Sequence, residues 1–259
     1  MSRSAPEWPV PAGLDSRTPP HPVLKQYYAR ASDRHSFVMR LFDGSARHYE
    51  WICGLGSFGT GRRYRRDALR RAGLGPGMRV LDVATGTGLV AASARAIVGA
   101  RGAVVGVDPS RGMLTEARKM AIPLVQGKAE ELPVAGGFDV LSLGYALRHV
   151  ADLTEAFGEF FRVLKPGGRV VILDMCRPRG RVNEWVIRFY LQKILPALAR
   201  IRTRNATAGV LTRYFWDTIA ECVPPETVME ALKQRGFVDI RRHVLWGFLT
   251  EYTGTKPKA

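Results

Sequence analysis

Asp82, Gly86, Gly88 and Asp108 are the residues whose types and spacing first suggest chemistry. Asp82 lies four residues before Gly86, inside RVLDVATGTG (79–88). Glycines in such a turn lack Cβ atoms, so they accept strained dihedrals and let a ligand lie against the backbone. An acid closing the next strand, here Asp108, can accept from both hydroxyls of a ribose. Two nucleoside ligands compete for this pattern. Gly86-Thr87-Gly88-Leu89-Val90-Ala91 fits a loose G-x-G-x-x-A, the turn of a nicotinamide dinucleotide site. A carboxylate beside that turn opposes a pyrophosphate. It suits a ligand with a cationic amine and a sulfonium, which is S-adenosylmethionine.

Such a turn needs a strand before it and a helix after it. Residues 79–84 have the apolar bias of a buried parallel strand, and 89–98 are good helix formers. The alternation continues with strands at 103–107, 122–126, 138–143 and 169–175 and helices at 111–120 and 153–164. Lys165-Pro166-Gly167-Gly168 reads as a helix stop and turn. A helix at 227–235, stopped by Gly236, precedes two closing strands at 237–245 and 246–253. The expected fold class is α/β: a Rossmann-like, seven-stranded, mostly parallel sheet with helices on both faces. Residues 1–22, rich in proline, are expected to form a flexible arm, and 23–259 a single domain. Within it, 23–75 forms an N-terminal helical cap, with amphipathic helix over 23–53, a glycine-rich loop at 54–61 and a basic helix at 62–72. The loop is no P-loop, since no Gly-Lys-Ser/Thr follows it. Residues 177–212 break the rhythm with a basic, aromatic stretch, expected to be an inserted helical lid.

Composition bounds the rest. A hydrophobic share of 46% over 259 residues is that of a globular chain. No apolar run is long enough to span a bilayer, and 1–22 lack the apolar region of a signal peptide. The three cysteines form no C-x-x-C pair, which argues against a disulfide framework or metal site and for a reducing cytoplasm. A net charge of +16 suggests anionic lipid, nucleic acid or an acidic substrate, or merely solvated surface arginines.

The pattern VLDVATGTG…GVDPSRGML…AEELP…FDV…FRVLKPGG resembles class I S-adenosylmethionine methyltransferases. It is most similar to the branch that C-methylates ring precursors of menaquinone and ubiquinone. Arg162 to Gly168 followed by Asp174 resembles that branch's second signature, where the acid is usually Glu. Leu147-Arg148-His149-Val150 stands where the branch has Arg-Asn. Tyr49…Ser57-Phe58-Gly59 is similar to its N-terminal signature, although Glu50, Cys53, Gly61 and Tyr64 replace the usual Asp, Asn, His and Trp. Arg213-Tyr214…Thr218-Ile219…Pro225-Glu226-Thr227 resembles its C-terminal block.

The resemblance implies roles. Gly86 and Gly88, with Ala84 beside them, would lie against the methionine part of the cofactor, and Asp82 would orient its amino group. Asp108 would hold the ribose hydroxyls, and Met113, Ala129 and Glu130 would surround adenine. Ser142 would border the sulfonium and Tyr49 would close the pocket; Met113 and Tyr49 suit a plain core role as well. Lys128 stands where relatives often have an acceptor for the adenine amine, and lysine cannot accept. Methylating a hydroquinone carbon needs a phenolate. Arg148 would stabilise it or act through a water, and His149 would take the proton. Glu50 and Tyr145 are weaker bases for the task. The expected acceptor is a lipophilic demethylquinol, with a phospholipid amine or a small secondary metabolite as the alternative. The basic lid would cover an isoprenoid tail, meet an anionic membrane surface at the inner membrane face, or form a homodimer contact. A nucleic-acid partner is disfavoured because no RNP-type, zinc or base-methylating motif is present, and no metal-ligand cluster is visible.

Overall fold

The computed structural model describes residues 17–56, 61–203 and 206–258. The arm up to residue 16 and the Ser57-Phe58-Gly59 part of the N-terminal signature lie outside the described residues. Helices α1 (Asp33–Gly56) and α2 (Gly61–Arg71) come first. The alternating core follows: β1 (Arg79–Val83), α3 (Leu89–Val98), β2 (Ala103–Asp108), α4 (Arg111–Ala117), β3 (Leu124–Gln126), β4 (Phe138–Gly144), α5 (Leu153–Val163) and β5 (Leu164–Met175). Then come α6 (Arg181–Phe189), a π-turn (Tyr190–Ile194), α7 (Leu195–Thr203), α8 (Ala206–Ala220), α9 (Pro225–Gln234), β6 (Val238–Leu245) and β7 (Leu249–Thr255).

The seven strands lie in the order β3-β2-β1-β4-β5-β7-β6. β1 to β5 pair in parallel and β7 pairs antiparallel to both β5 and β6, so the sheet is mixed but mostly parallel, as expected. In β1 the side chains alternate between two cores. Leu81 and Val83 face Phe157 and Phe160 of α5 and Leu232 of α9. Val80 faces the opposite cluster, with Ala91 and Ala94 of α3 and Leu69 of α2. Helices on both faces bury both sides of the central strands, which explains their near-continuous apolar sequence. A third cluster joins α1 to α7 and α8 through Val38, Leu41, Ile52, Leu195, Leu211 and Tyr214.

Two expectations change. Lys165-Pro166-Gly167-Gly168 is a bulge inside β5 rather than a turn before it: Phe138 pairs with Leu164 and Val140 with Arg169, so the extra residues loop out, with Gly167 at φ 78°. Residues 17–22, expected in a free arm, are docked. The Thr18 amide donates to Asp152 Oδ2 (2.8 Å), Leu153 donates to the Thr18 carbonyl, and Val223 donates to that of Pro20.

Where β1 ends, one carboxylate fastens four pieces of chain. Asp82 is fully buried and accepts from Ser142 Oγ of β4 (2.6 Å), Thr85 Oγ1 of the turn (2.7 Å) and the Ala91 amide of α3 (3.1 Å). Burial outweighs these bonds and pushes its carboxyl up from 3.8 to about 6. The folded state therefore holds this proton, and the unfolded chain does not, between roughly pH 4 and 6. The stability attributable to Asp82 is greatest at the acid end of that window and falls as pH rises through about 6. Asn can keep the Thr85 and Ala91 bonds on its oxygen and meet Ser142 by donating to its Oγ, without ionising. Between pH 4 and pH 8 the unfolding free energy of Asp82→Asn should shift in the variant's favour, relative to the parent, by about 2 kcal/mol. Urea unfolding across pH checks this, and a pH-independent difference would show that Asp82 does not titrate there.

Candidate active site

The strand order reverses between β1 and β4, because the chain moves outward through β2 and β3 on one side and through β5 on the other. Ligands of open α/β sheets bind in the crevice beyond the carboxyl ends of strands at such a point. Here that crevice is a cavity of about 740 Å³, roofed by the docked N-terminal segment and by α1.

The cavity brings together most of the predicted residues. Tyr49, Ala84, Gly86, Asp108, Met113, Ala129, Glu130 and His149 all line it. Ala84 (φ 50°) and Tyr145 (φ 59°), both on its wall, are non-glycine residues in the left-handed region, a strain that concentrates at functional sites. Gly86 (φ 58°) needs that region too, and its amide donates to Asp108 Oδ2 (2.8 Å). The Ser110 amide donates to Asp108 Oδ1 (2.8 Å). Each carboxylate oxygen thus keeps a lone pair for a further donor. Burial, with Asp82 and Asp43 nearby, pushes Asp108 up from 3.8 to about 6 against these two bonds. Glu130 is already engaged, accepting from the Ala151 amide.

Asp82, Gly88 and Ser142 do not line the cavity. They stand behind it, in the hydrogen-bonded joint at the end of β1. Gly88 starts α3 at φ 88°, and a Cβ there would meet Met120 Cγ at 2.7 Å. Arg148 is the larger correction. It was expected to face an acceptor oxygen, yet it is buried and absent from the cavity wall. Its Nε donates to Asp174 Oδ1 (2.9 Å) and its Nη1 donates to Thr218 Oγ1 (2.8 Å) and the Phe215 carbonyl (3.3 Å). A guanidinium out of water requires such partners. Glu50 also lies off the cavity wall and pairs with Lys119 (2.5 Å).

His149 does face the cavity. Its ring lies between Phe42 (5.2 Å, edge-on) and Tyr214 (5.5 Å, stacked), and neither ring nitrogen has a hydrogen-bond partner among the described residues. Burial first, then the charges of Arg148 and Arg34, hold the imidazolium well below the usual histidine value, so the ring is neutral. His21, placed in the arm by sequence reasoning, is a second buried imidazole on the wall. Its Nδ1 lies 2.7 Å from the Pro22 carbonyl, so that nitrogen carries the proton and Nε2 presents a lone pair with no partner. Arg34 was missed too; it lines the cavity and donates to the Arg148 carbonyl (2.6 Å). Nothing local marks His21 or Arg34, since contacts more than a hundred residues away place them.

This donor set fits an adenosyl ligand. The buried acid at the β2 end has acceptor capacity left, Gly86 offers bare backbone, and Met113 and Ala129 are apolar wall. Among the described residues no cluster of three or more His, Cys, Asp or Glu could hold a metal ion.

Residues 29–256 match the ubiE/COQ5 methyltransferase family. The chain is 33% identical over 237 residues to the ubiquinone/menaquinone biosynthesis C-methyltransferase UbiE of Geobacter sulfurreducens, covering 88% of this chain and 91% of that protein. It is 32% identical over 222 residues to the demethylmenaquinone methyltransferase of Mycobacterium sp. strain KMS, covering 85% and 94%. The fold is similar to phosphoethanolamine N-methyltransferase 2 of Haemonchus contortus in complex with S-adenosyl-L-methionine (TM-score 0.60, 19% identity, 83% of this chain and 57% of that one). It is also similar to the [4+2]-cyclase SpnF (TM-score 0.61, 16% identity, 87% and 97%). The chain belongs to the ubiE/COQ5 methyltransferase family and is an S-adenosylmethionine-dependent methyltransferase.

Proposed function

We propose that this enzyme methylates a ring carbon of a lipophilic demethylquinol. The observation that carries the reading is one cavity holding both the Asp108 carboxylate and the neutral, unpartnered His149 ring, with Tyr28, Val38, Met39 and Phe42 as its apolar walls. The names of the ubiquinone and menaquinone relatives point to the same acceptor class.

Bound S-adenosylmethionine supplies a methyl group already activated by its sulfonium. The protein's work is to bind, orient and deprotonate. Asp108 would accept from the ribose hydroxyls, Gly86 would let the backbone approach the methionine part, and Met113, Ala129 and Glu130 would surround adenine, with Tyr49 and Ala84 closing the wall. Asp82, Gly88 and Ser142 hold this wall from behind. His149 would take the phenolic proton, because a neutral imidazole has one nitrogen free to accept, and would return it to that oxygen as the methylated ring carbon loses its own hydrogen as a proton to restore the aromatic ring. Phe42 and Tyr214 keep its ring flat against the cavity, and the apolar walls keep water from competing for the methyl group. Arg148 acts as a positioning residue: Asp174 and Thr218 grip it from behind, and it fixes the neighbouring His149. His21 Nε2 offers an acceptor for the second quinol hydroxyl.

A screen with methyl-labelled cofactor should compare demethylquinols, phospholipids and small phenols. Label on a quinol ring carbon supports the reading; label found only on phospholipid amines or phenol oxygens would overturn it. His149→Phe preserves the aromatic stack and removes the base. It should bind S-adenosylhomocysteine as the parent does and lose about 10²–10⁴-fold in kcat on the accepted quinol. Near-parental turnover would remove His149 from the chemistry. Asp108 must be ionised to accept from both hydroxyls. Calorimetric affinity for S-adenosylhomocysteine should be flat at neutral pH and weaken toward about tenfold per unit below about pH 6. An affinity unchanged from pH 8 to pH 5 would separate Asp108 from the ribose.

A further inference from the structure

Ten large apolar side chains stand exposed among the described residues, and seven of them fall between 182 and 201. Single exposed apolar groups are ordinary, but contiguous ones mark a contact surface. The segment was expected to cover the cavity as a lid, yet no residue of 177–212 lines it. Its inner side packs Ile187, Leu191, Leu195 and Ala199 against α1 and α8, and its outer side is open.

The sequence hides how regular the outer side is. In an α-helix of 3.6 residues per turn, Val182, Trp185, Val186 and Phe189 of α6 share one face. Ile194, Leu198 and Ile201 share another, displaced from the first by roughly 140°. The π-turn at Tyr190–Ile194 removes most of the displacement, because one extra residue in a turn sets back everything after it by about 100°. Both patches then form one ridge, about 30 Å long. Trp185 and Phe189 stack on it with ring centroids 5.5 Å apart. The same phase places Arg181, Arg188, Lys193 and Arg200, all exposed, along one flank. The segment's single acid, Glu184, is paired with Arg177 (2.6 Å).

An apolar ridge with aromatic groups and a cationic flank is the form of a helix lying in a bilayer interface. No helix among the described residues is long and apolar enough to cross a membrane. A second copy of the chain suits the ridge poorly, since two ridges packed together would bring arginine-rich flanks into mutual repulsion. We infer that the α6–α7 ridge docks on an anionic lipid surface, with Trp185, Phe189 and Ile201 in the acyl boundary and Arg181, Arg188, Lys193 and Arg200 on lipid phosphates. This stands apart from the identity of the methyl acceptor.

Flotation of the full chain with vesicles tests it, comparing phosphatidylcholine alone with phosphatidylcholine containing one-third phosphatidylglycerol. The parent should bind the anionic vesicles and release as salt rises. Trp185→Ala/Phe189→Ala and Arg181→Glu/Arg200→Glu should each bind at least about tenfold more weakly. Both variants change only exposed side chains, and each should keep the parent's melting temperature and its affinity for S-adenosylhomocysteine. Absence of parental binding at low salt, or a Trp185→Ala/Phe189→Ala variant that binds as the parent does, would overturn the inference. So would a parental dimer in light scattering that Trp185→Ala/Phe189→Ala disperses.

Discussion

A carboxylate with no access to water ties the end of β1 to everything around it. Asp82 gathers the first turn of α3, the glycine turn and β4 through three hydrogen bonds, and it does so despite a desolvation cost that raises its own pKa. The turn so fixed carries Gly86, whose amide reaches across to Asp108 at the end of the neighbouring strand. Two acids on adjacent strands thus divide the labour: one holds the loop and the other, through that loop, is aimed into the cavity. The left-handed conformations of Ala84 and Tyr145 persist because this joint over-determines the backbone on both sides of the crevice.

A second buried charge repeats the theme on the acceptor side. Arg148 is spent on Asp174, Thr218 and the Phe215 carbonyl, which ties the segment after β4 to β5 and α8. Its own carbonyl receives Arg34 from α1. His149, one residue on, is the group left facing the cavity, so the rigid ion pair serves the neutral ring beside it.

The α/β alternation was legible because period and punctuation are local: apolar runs of strand length, helix formers between them, glycine and proline at the joints. Asp108 and Gly86 could be placed from that frame alone, since strand ends at a switch point define the crevice, whereas Met113 was placed by the family resemblance. What escaped depended on distant partners. His21 sits in a proline-rich stretch that looks free until Thr18 meets Asp152 and Pro20 meets Val223. Arg148 looks catalytic until Asp174, twenty-six residues later, is seen to hold it. The Lys165-Pro166-Gly167-Gly168 turn became a bulge because strand pairing with β4 begins before it. Residues 177–212 read as a lid because amphipathicity says that a helix has two faces, not which of them the core will take.

The π-turn carries a consequence for how this surface can vary among relatives. It amounts to one residue more than a regular α-helix would carry there, so its effect is one of chain length and not of composition. Deleting one residue from Tyr190–Ile194 would restore a regular helix with every apolar and basic side chain still present. It would nonetheless swing Ile194, Leu198 and Ile201 a quarter turn away from Trp185 and Phe189, and carry Leu195 and Ala199 off the face they bury. Among homologues, the length of this short stretch should discriminate more sharply than its hydrophobicity between chains that keep the ridge and chains that have lost it.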